Sequence, residues 1–224
     1  MFFCVPVKIE DDRAYHQVPV ANSVLIAINA LMFWMSGVMV VGPGTGPLSI
    51  VTFGFAHASL WHLLGNMWVL WVFGNAVNRR IGNGWYTLVY LGTLVAVGII
   101  ARFIASEYLV GSSGAIFAVI AICLVLMPSR LVRVYYIAIF PLTVLVGLLS
   151  KPKHTVFWFI RWDQFALQAW WGLLIVPALE LWGLFWSGWN WTNLGHLLGL
   201  ACGVAFVLVL PARISMNRRV AFNR

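Results

Sequence analysis

Charge is what this sequence lacks. Only 9% of its 224 residues are charged, where a soluble domain carries roughly a quarter, and just six are acidic. With 62% hydrophobic residues, the chain cannot hide its apolar surface in water, which excludes a soluble globular domain. The same figures exclude disordered and collagen-like chains. Cysteine is scarce as well. Cys4, Cys123 and Cys202 are odd in number and far apart, so they make neither a disulfide scaffold nor a metal-ligand spacing and read as packing residues. The basic excess, +8 from fourteen Lys and Arg, has no soluble face on which to cluster, so nucleic acid is not an expected partner. There is no internal repeat and no low-complexity tract. Glu10, Asp11 and Asp12 sit where a cleavable signal would need a basic and then apolar pattern. The missing transit peptide points to a bacterial inner membrane.

What the chain has instead is long apolar runs, near 22–41, 60–78, 84–106, 113–127, 131–150, 164–186 and 194–210. A spanning helix needs about 20 such residues. Lys and Arg mark cytoplasmic ends. Lys8 and Arg13, Arg79 and Arg80, Arg130 and Arg133, and the tail arginines 213, 218, 219 and 224 can all lie inside only if the number of crossings is even. The weakest run is 131–150, which contains Arg133 and Pro141 and exits through Lys151-Pro152-Lys153. The expected architecture is therefore an all-α polytopic membrane protein of six transmembrane helices over 22–210. Residues 1–21 are expected to form a cytoplasmic segment, 129–163 a cytoplasmic or interfacial excursion against lipid, and 211–224 a basic cytoplasmic tail. Arg102, near the outer end of the third span, is left to snorkel. Gly42-Pro43-Gly44-Thr45-Gly46-Pro47 is an outer connection too short to be a domain.

Polar side chains inside hydrocarbon are costly and point to function. Three groups fall at the outer ends of their spans. His57, His62 and Asn66 open the second, with His62 and Asn66 four apart on one helical face. Gly111-Ser112-Ser113-Gly114 opens the fourth. His196 begins the sixth, followed by Gly199 and Gly203. Gly195, Gly199 and Gly203 form a small-residue stripe that allows close helix approach, and Gly114, Ala118 and Ala121 offer a matching one. Packing the two stripes together would bring His196 level with Ser113, a nucleophile beside its general base.

The fifteen residues from Ser113 to Met127 make about 22 Å of helix, less than the roughly 30 Å hydrocarbon core. The serine is therefore expected below the outer surface, in a protein-enclosed hollow. Gly111 and Gly114 let the loop turn sharply. His62, Asn66 and the backbone N–H of Ser113 supply donors for an oxyanion. Beside none of these groups does an acid stand in sequence, so the expectation is a Ser113–His196 dyad, with Glu180 of the fifth span left as an acid to be tested. Read singly, each feature has a plain packing explanation; their joint occurrence at one end is what favours chemistry.

His57-x4-His62-x3-Asn66-Met67, Gly111-Ser112-Ser113-Gly114 and His196-x2-Gly199-x3-Gly203, with the segment Phe73-Gly74-Asn75-Ala76-Val77-Asn78-Arg79-Arg80-Ile81-Gly82, resemble the rhomboid intramembrane serine proteases. The resemblance spans roughly 50–128 and 164–210. It implies Ser113 as nucleophile, His196 as base, an oxyanion site at His62, Asn66 and the Ser113 amide, and Phe117 packed against the histidine. It also implies cleavage of peptide bonds in transmembrane substrates entering sideways between the second and fifth spans, with no metal or cofactor. Lipids and transmembrane proteins are the expected partners. Departures are a first outer loop near 42–56 without the family's Trp-Arg pair, Asn78 where many relatives have an acid, and a longer 129–163 excursion. Two other readings are an inactive rhomboid-like protein that binds transmembrane clients, and a transporter, which should show repeated halves or paired broken helices.

Overall fold

The computed structural model describes residues 2–10, 18–35, 39–139, 141–149, 154–156 and 160–209. Asp11, Asp12, Arg13, the Lys151-Pro152-Lys153 exit and the tail 211–224 lie outside the described residues.

Helix α1 runs Val20–Met35. After a connection holding the short α2, Ser49–Thr52, and a 3₁₀ turn at Phe53–Phe55, α3 (Leu60–Val69) continues through a π-helical stretch, Leu70–Gly74, into α4, Asn75–Ile81. Then come α5 (Asn83–Phe103), α6 (Ser113–Leu126), the short α7 (Leu142–Leu149), α8 (Trp170–Ser187) and α9 (Trp191–Val209). By length and composition α5 and α9 suffice to cross a membrane, while α1, α6 and α8 are shorter apolar helices. Large apolar side chains project outward, including Trp61 (81% exposed), Phe185 (79%) and Leu208 (79%), an arrangement at home in lipid rather than water.

The chain is not all-α. Phe2–Ile9 (β1), Leu131–Ile139 (β2), His154–Val156 (β3) and Ile160–Gln168 (β4) form an antiparallel sheet ordered β1-β2-β4-β3. Thus the N-terminal segment supplies an edge strand, the described part of the 129–163 excursion holds a strand, a helix, a short strand and the start of another, and the run expected as helix from 164 remains strand to Gln168. The reason lies in the residues. Leu-Val-Arg-Val-Tyr-Tyr-Ile-Ala-Ile is β-branched and aromatic, and Val132, Tyr136 and Ala138 are buried on one face, a period of two that a hydropathy window averages away. Ala169 N–H to Arg130 C=O (2.7 Å) and Trp170 N–H to Pro128 C=O (3.0 Å) join the end of α6 to the start of α8. Trp68 Nε1 donates to the Pro6 carbonyl (2.7 Å), and Arg133 pairs with Glu10, so β1 is held to α3 and to β2.

The helical core is organised around α6, buried on nearly every face from Gly114 to Leu126. A polar hub ties α1 to α4 and α5. Asn22 Nδ2 donates to the Leu70 carbonyl (2.9 Å), one of the acceptors in the π stretch, and to Asn75 Oδ1 (2.9 Å). Tyr86 Oη donates to Asn22 Oδ1 (2.6 Å), and Asn78 Oδ1 accepts from the Asn22 N–H (2.9 Å). A side chain at Gly74 would collide with this hub. At the opposite end Arg102 donates to the Thr45 carbonyl (3.0 Å) instead of standing free, and lies over the Phe103 ring.

Candidate active site

Three helix starts converge. Ser59 caps α3, its hydroxyl accepting from the His62 N–H (3.2 Å). Asn190 caps α9 through the Thr192 N–H (2.8 Å), and Trp191 Nε1 donates to Ser106 Oγ (2.8 Å), which sets α9 beside the loop leading to α6. In that loop Gly111 takes φ +108°, a conformation L side chains avoid, and its N–H donates to the Phe53 carbonyl (2.9 Å). Ser113 then becomes the first residue of α6, so its own N–H is among those left unpaired by helix geometry.

The small-residue stripes meet. A side chain at Gly199 would overlap the Gly114 carbonyl, and one at Gly203 would overlap the Ala118 carbonyl and lie 2.9 Å from the Ala121 Cβ. At this separation His196 Nε2 is 2.9 Å from Ser113 Oγ. The Phe117 ring stacks on the imidazole at 4.1 Å between centroids and 5° between planes. His196 is the sixth residue of α9, about 7 Å along from its start, so the pair is recessed below that helix end.

His62 and Asn66 come to the same place. A Cβ on Gly111 would lie 2.9 Å from His62 Nε2 and 3.8 Å from Asn66 Nδ2, which puts both side chains beside the turn preceding Ser113. His57 stands behind them, buried, its Nε2 3.0 Å from Asn66 Nδ2 and its ring edge-on to His62 at 5.0 Å. Burial pushes the His57 imidazole down to about 4, with His62 adding to the shift. It is therefore neutral near pH 7, and its Nε2 accepts the Asn66 N–H. A small cavity of about 20 Å³ opens beside Ser113 and His196, lined also by Phe53, Val97, Leu109 and Thr192.

Every sequence-predicted site residue thus falls in one cluster: Ser113, His196, Phe117, His62, Asn66 and His57, with Gly111, Gly114, Gly199 and Gly203 making room. The acid left to be tested in the fifth span also reaches the site. Behind His196, Glu180 Oε2 lies 3.0 Å from Nδ1 and accepts from Asn193 Nδ2 at 2.6 Å. Asn193 was missed altogether, although its spacing of three from His196 puts it on the same helical face. Chemically, a hydroxyl hydrogen-bonded to an imidazole, with further donors aimed beside it, is an arrangement suited to nucleophilic acyl transfer. Among the described residues no cluster of His, Cys, Asp and Glu could hold a metal ion, and the three cysteines are free thiols.

Comparison with known proteins gives a match to the family profile "Rhomboid domain" over residues 44–213. Similar proteins include the rhomboid protease GluP of Bacillus subtilis, 32% identical over 119 residues, 44% of this chain and 23% of that one. The mitochondrial presenilin-associated rhomboid-like protein of Mus musculus is 30% identical over 98 residues, 40% of this chain and 25% of its own length. The mitochondrial rhomboid protein 1 of Saccharomyces cerevisiae is 25% identical over 145 residues, covering 62% and 42% of the two chains. In each comparison the match spans less than half of the relative's length.

Proposed function

The chain belongs to the rhomboid family, whose members are polytopic helical membrane proteins, and from that premise we propose that it is a serine endopeptidase cleaving peptide bonds within transmembrane segments. Six crossings, formed by α1, the continuous α3–α4, α5, α6, α8 and α9, would leave both ends and the sheet on the cytoplasmic side, where Lys8, Arg79, Arg80, Arg130, Arg133 and Arg161 also fall. The single observation that carries the reading is the 2.9 Å contact between Ser113 Oγ and His196 Nε2, reinforced by the name of a relative, a rhomboid protease.

In this reading Ser113 Oγ attacks the scissile carbonyl carbon while His196 Nε2 takes its proton. The oxyanion develops against the Ser113 N–H and the side chains of His62 and Asn66. The tetrahedral intermediate collapses as His196 returns the proton to the leaving amine, giving an acyl-enzyme that holds the N-terminal part of the substrate and a free C-terminal fragment. Water from the cavity, deprotonated by the same histidine, then releases the acyl group. A helical substrate hides its carbonyls in its own hydrogen bonds, so its scissile stretch must unwind first. Helix-destabilising residues near the cut favour this. The substrate would arrive from lipid between α3, which carries exposed Trp61 and Trp68, and α8, which carries exposed Trp182 and Phe185.

The test is cleavage of a labelled transmembrane peptide by the purified protein in detergent, compared with Ser113→Ala and His196→Ala. Cleavage by the wild type and by neither variant is the expected result. Equal cleavage by Ser113→Ala would contradict the mechanism, and no cleavage by any form would favour a client-binding role.

A further inference from the structure

Helix α8 carries a single charged side chain, Glu180. Its sequence neighbours Leu179 and Leu181 are 63% and 56% exposed, whereas the Glu180 side chain is 13% exposed and directed at α9. An isolated carboxylate in this setting is costly unless donors meet it. Two do, and both reach one oxygen: Oε2 takes the Asn193 Nδ2–H at 2.6 Å and faces His196 Nδ1 at 3.0 Å. The approach is built for, since a side chain at Gly183, one turn after Glu180, would press on Asn193 Nδ2 at 2.7 Å.

We infer that Glu180, clamped by Asn193, is a positioning residue for His196, so that the machinery is a Ser113–His196–Glu180 relay and not a dyad; the inference rests on the protease reading above. An oxygen already accepting from an amide N–H is committed to accepting, so it takes the Nδ1–H of His196 as well. That fixes the tautomer in which Nε2 is bare and faces the Ser113 hydroxyl. The same carboxylate stabilises the imidazolium formed when Nε2 takes the serine proton, and itself stays ionised throughout. Phe117 restrains the ring plane by stacking, and Glu180 sets the rotation within that plane.

The experiment uses the full chain in detergent, with Glu180→Gln, Glu180→Asp and Ser113→Ala beside the wild type. Two readouts are taken: kcat and KM on a labelled transmembrane peptide, and the histidine tautomers by NMR of ¹⁵N-histidine-labelled protein. Glu180→Gln is expected to lower kcat by about 10²-fold or more with KM within about twofold. Glu180→Asp should restore part of the rate. The His196 Nδ1–H tautomer, dominant in wild type, should become mixed in Glu180→Gln. A merely structural glutamate would leave the tautomer unchanged. Glu180→Gln with wild-type kcat, or with an unchanged tautomer, overturns the inference. If the wild type fails to cleave but the tautomer still depends on Glu180, the positioning role stands and the protease reading falls; if neither is seen, both fall.

Discussion

Gly199 packs its bare α-carbon against the carbonyl of Gly114, and no side chain fits between them. That contact, repeated one turn on by Gly203 against Ala118, sets the distance between α6 and α9 and so the distance between Ser113 and His196. Backbone carbonyls cannot swing away as a long side chain can. Gly199→Ala should therefore force the helices apart, lowering stability by roughly 1–3 kcal/mol, as overpacking does, and reducing cleavage out of proportion to the loss of folded protein. Thermal unfolding in detergent and peptide cleavage at a temperature where the variant remains folded check the two parts.

His62 and Asn66 lie against Gly111, in the turn that precedes Ser113, where an oxyanion formed at Ser113 would be held. His62→Ala and Asn66→Ala should each reduce kcat by about 10²–10³ while leaving KM nearly constant, because the lost bond is made in the transition state. Steady-state kinetics on one peptide separate this from a binding defect, which would raise KM and spare kcat.

His57 lies in the connection before α3, and burial holds its imidazole down at about 4. The folded value is below the ordinary 6.5, so the unfolded chain binds this proton more readily. The stability contributed by the neutral form is complete above pH 6.5 and is lost as pH falls through the window from 6.5 to about 4. His57→Gln, which keeps an acceptor for Asn66 but cannot titrate, should lose less thermal stability than the wild type across that window. Parallel melting temperatures from pH 7 to pH 4 would show the difference; equal falls would contradict the assignment.

Much of the site was legible in the sequence because its chemistry requires rare residues in an apolar chain. Ser113, His196, His62 and Asn66 stand out where polar groups are costly, and the glycine stripes indicate which helices must touch. The sheet was not legible by the same means. Leu131–Ile139 is as hydrophobic as a span, and only its alternation distinguishes it; Arg133 and Pro141 weaken a crossing without specifying a strand. Glu180 was visible as a lone acid in an apolar helix, yet its partner is sixteen positions away on another helix and emerges only when α8 packs on α9. Asn22 was not singled out at all. Its role comes from a π stretch that leaves the Leu70 carbonyl available, and no local pattern marks such a stretch.

The central claim is that Ser113 is made nucleophilic by His196, and a fluorophosphonate probe, which phosphonylates activated serines, tests it most directly. Mass spectrometry of the labelled protein should find one adduct, on Ser113, formed by the wild type and lost in His196→Ala. An adduct on another serine, or labelling of Ser113 at an undiminished rate without His196, would contradict it.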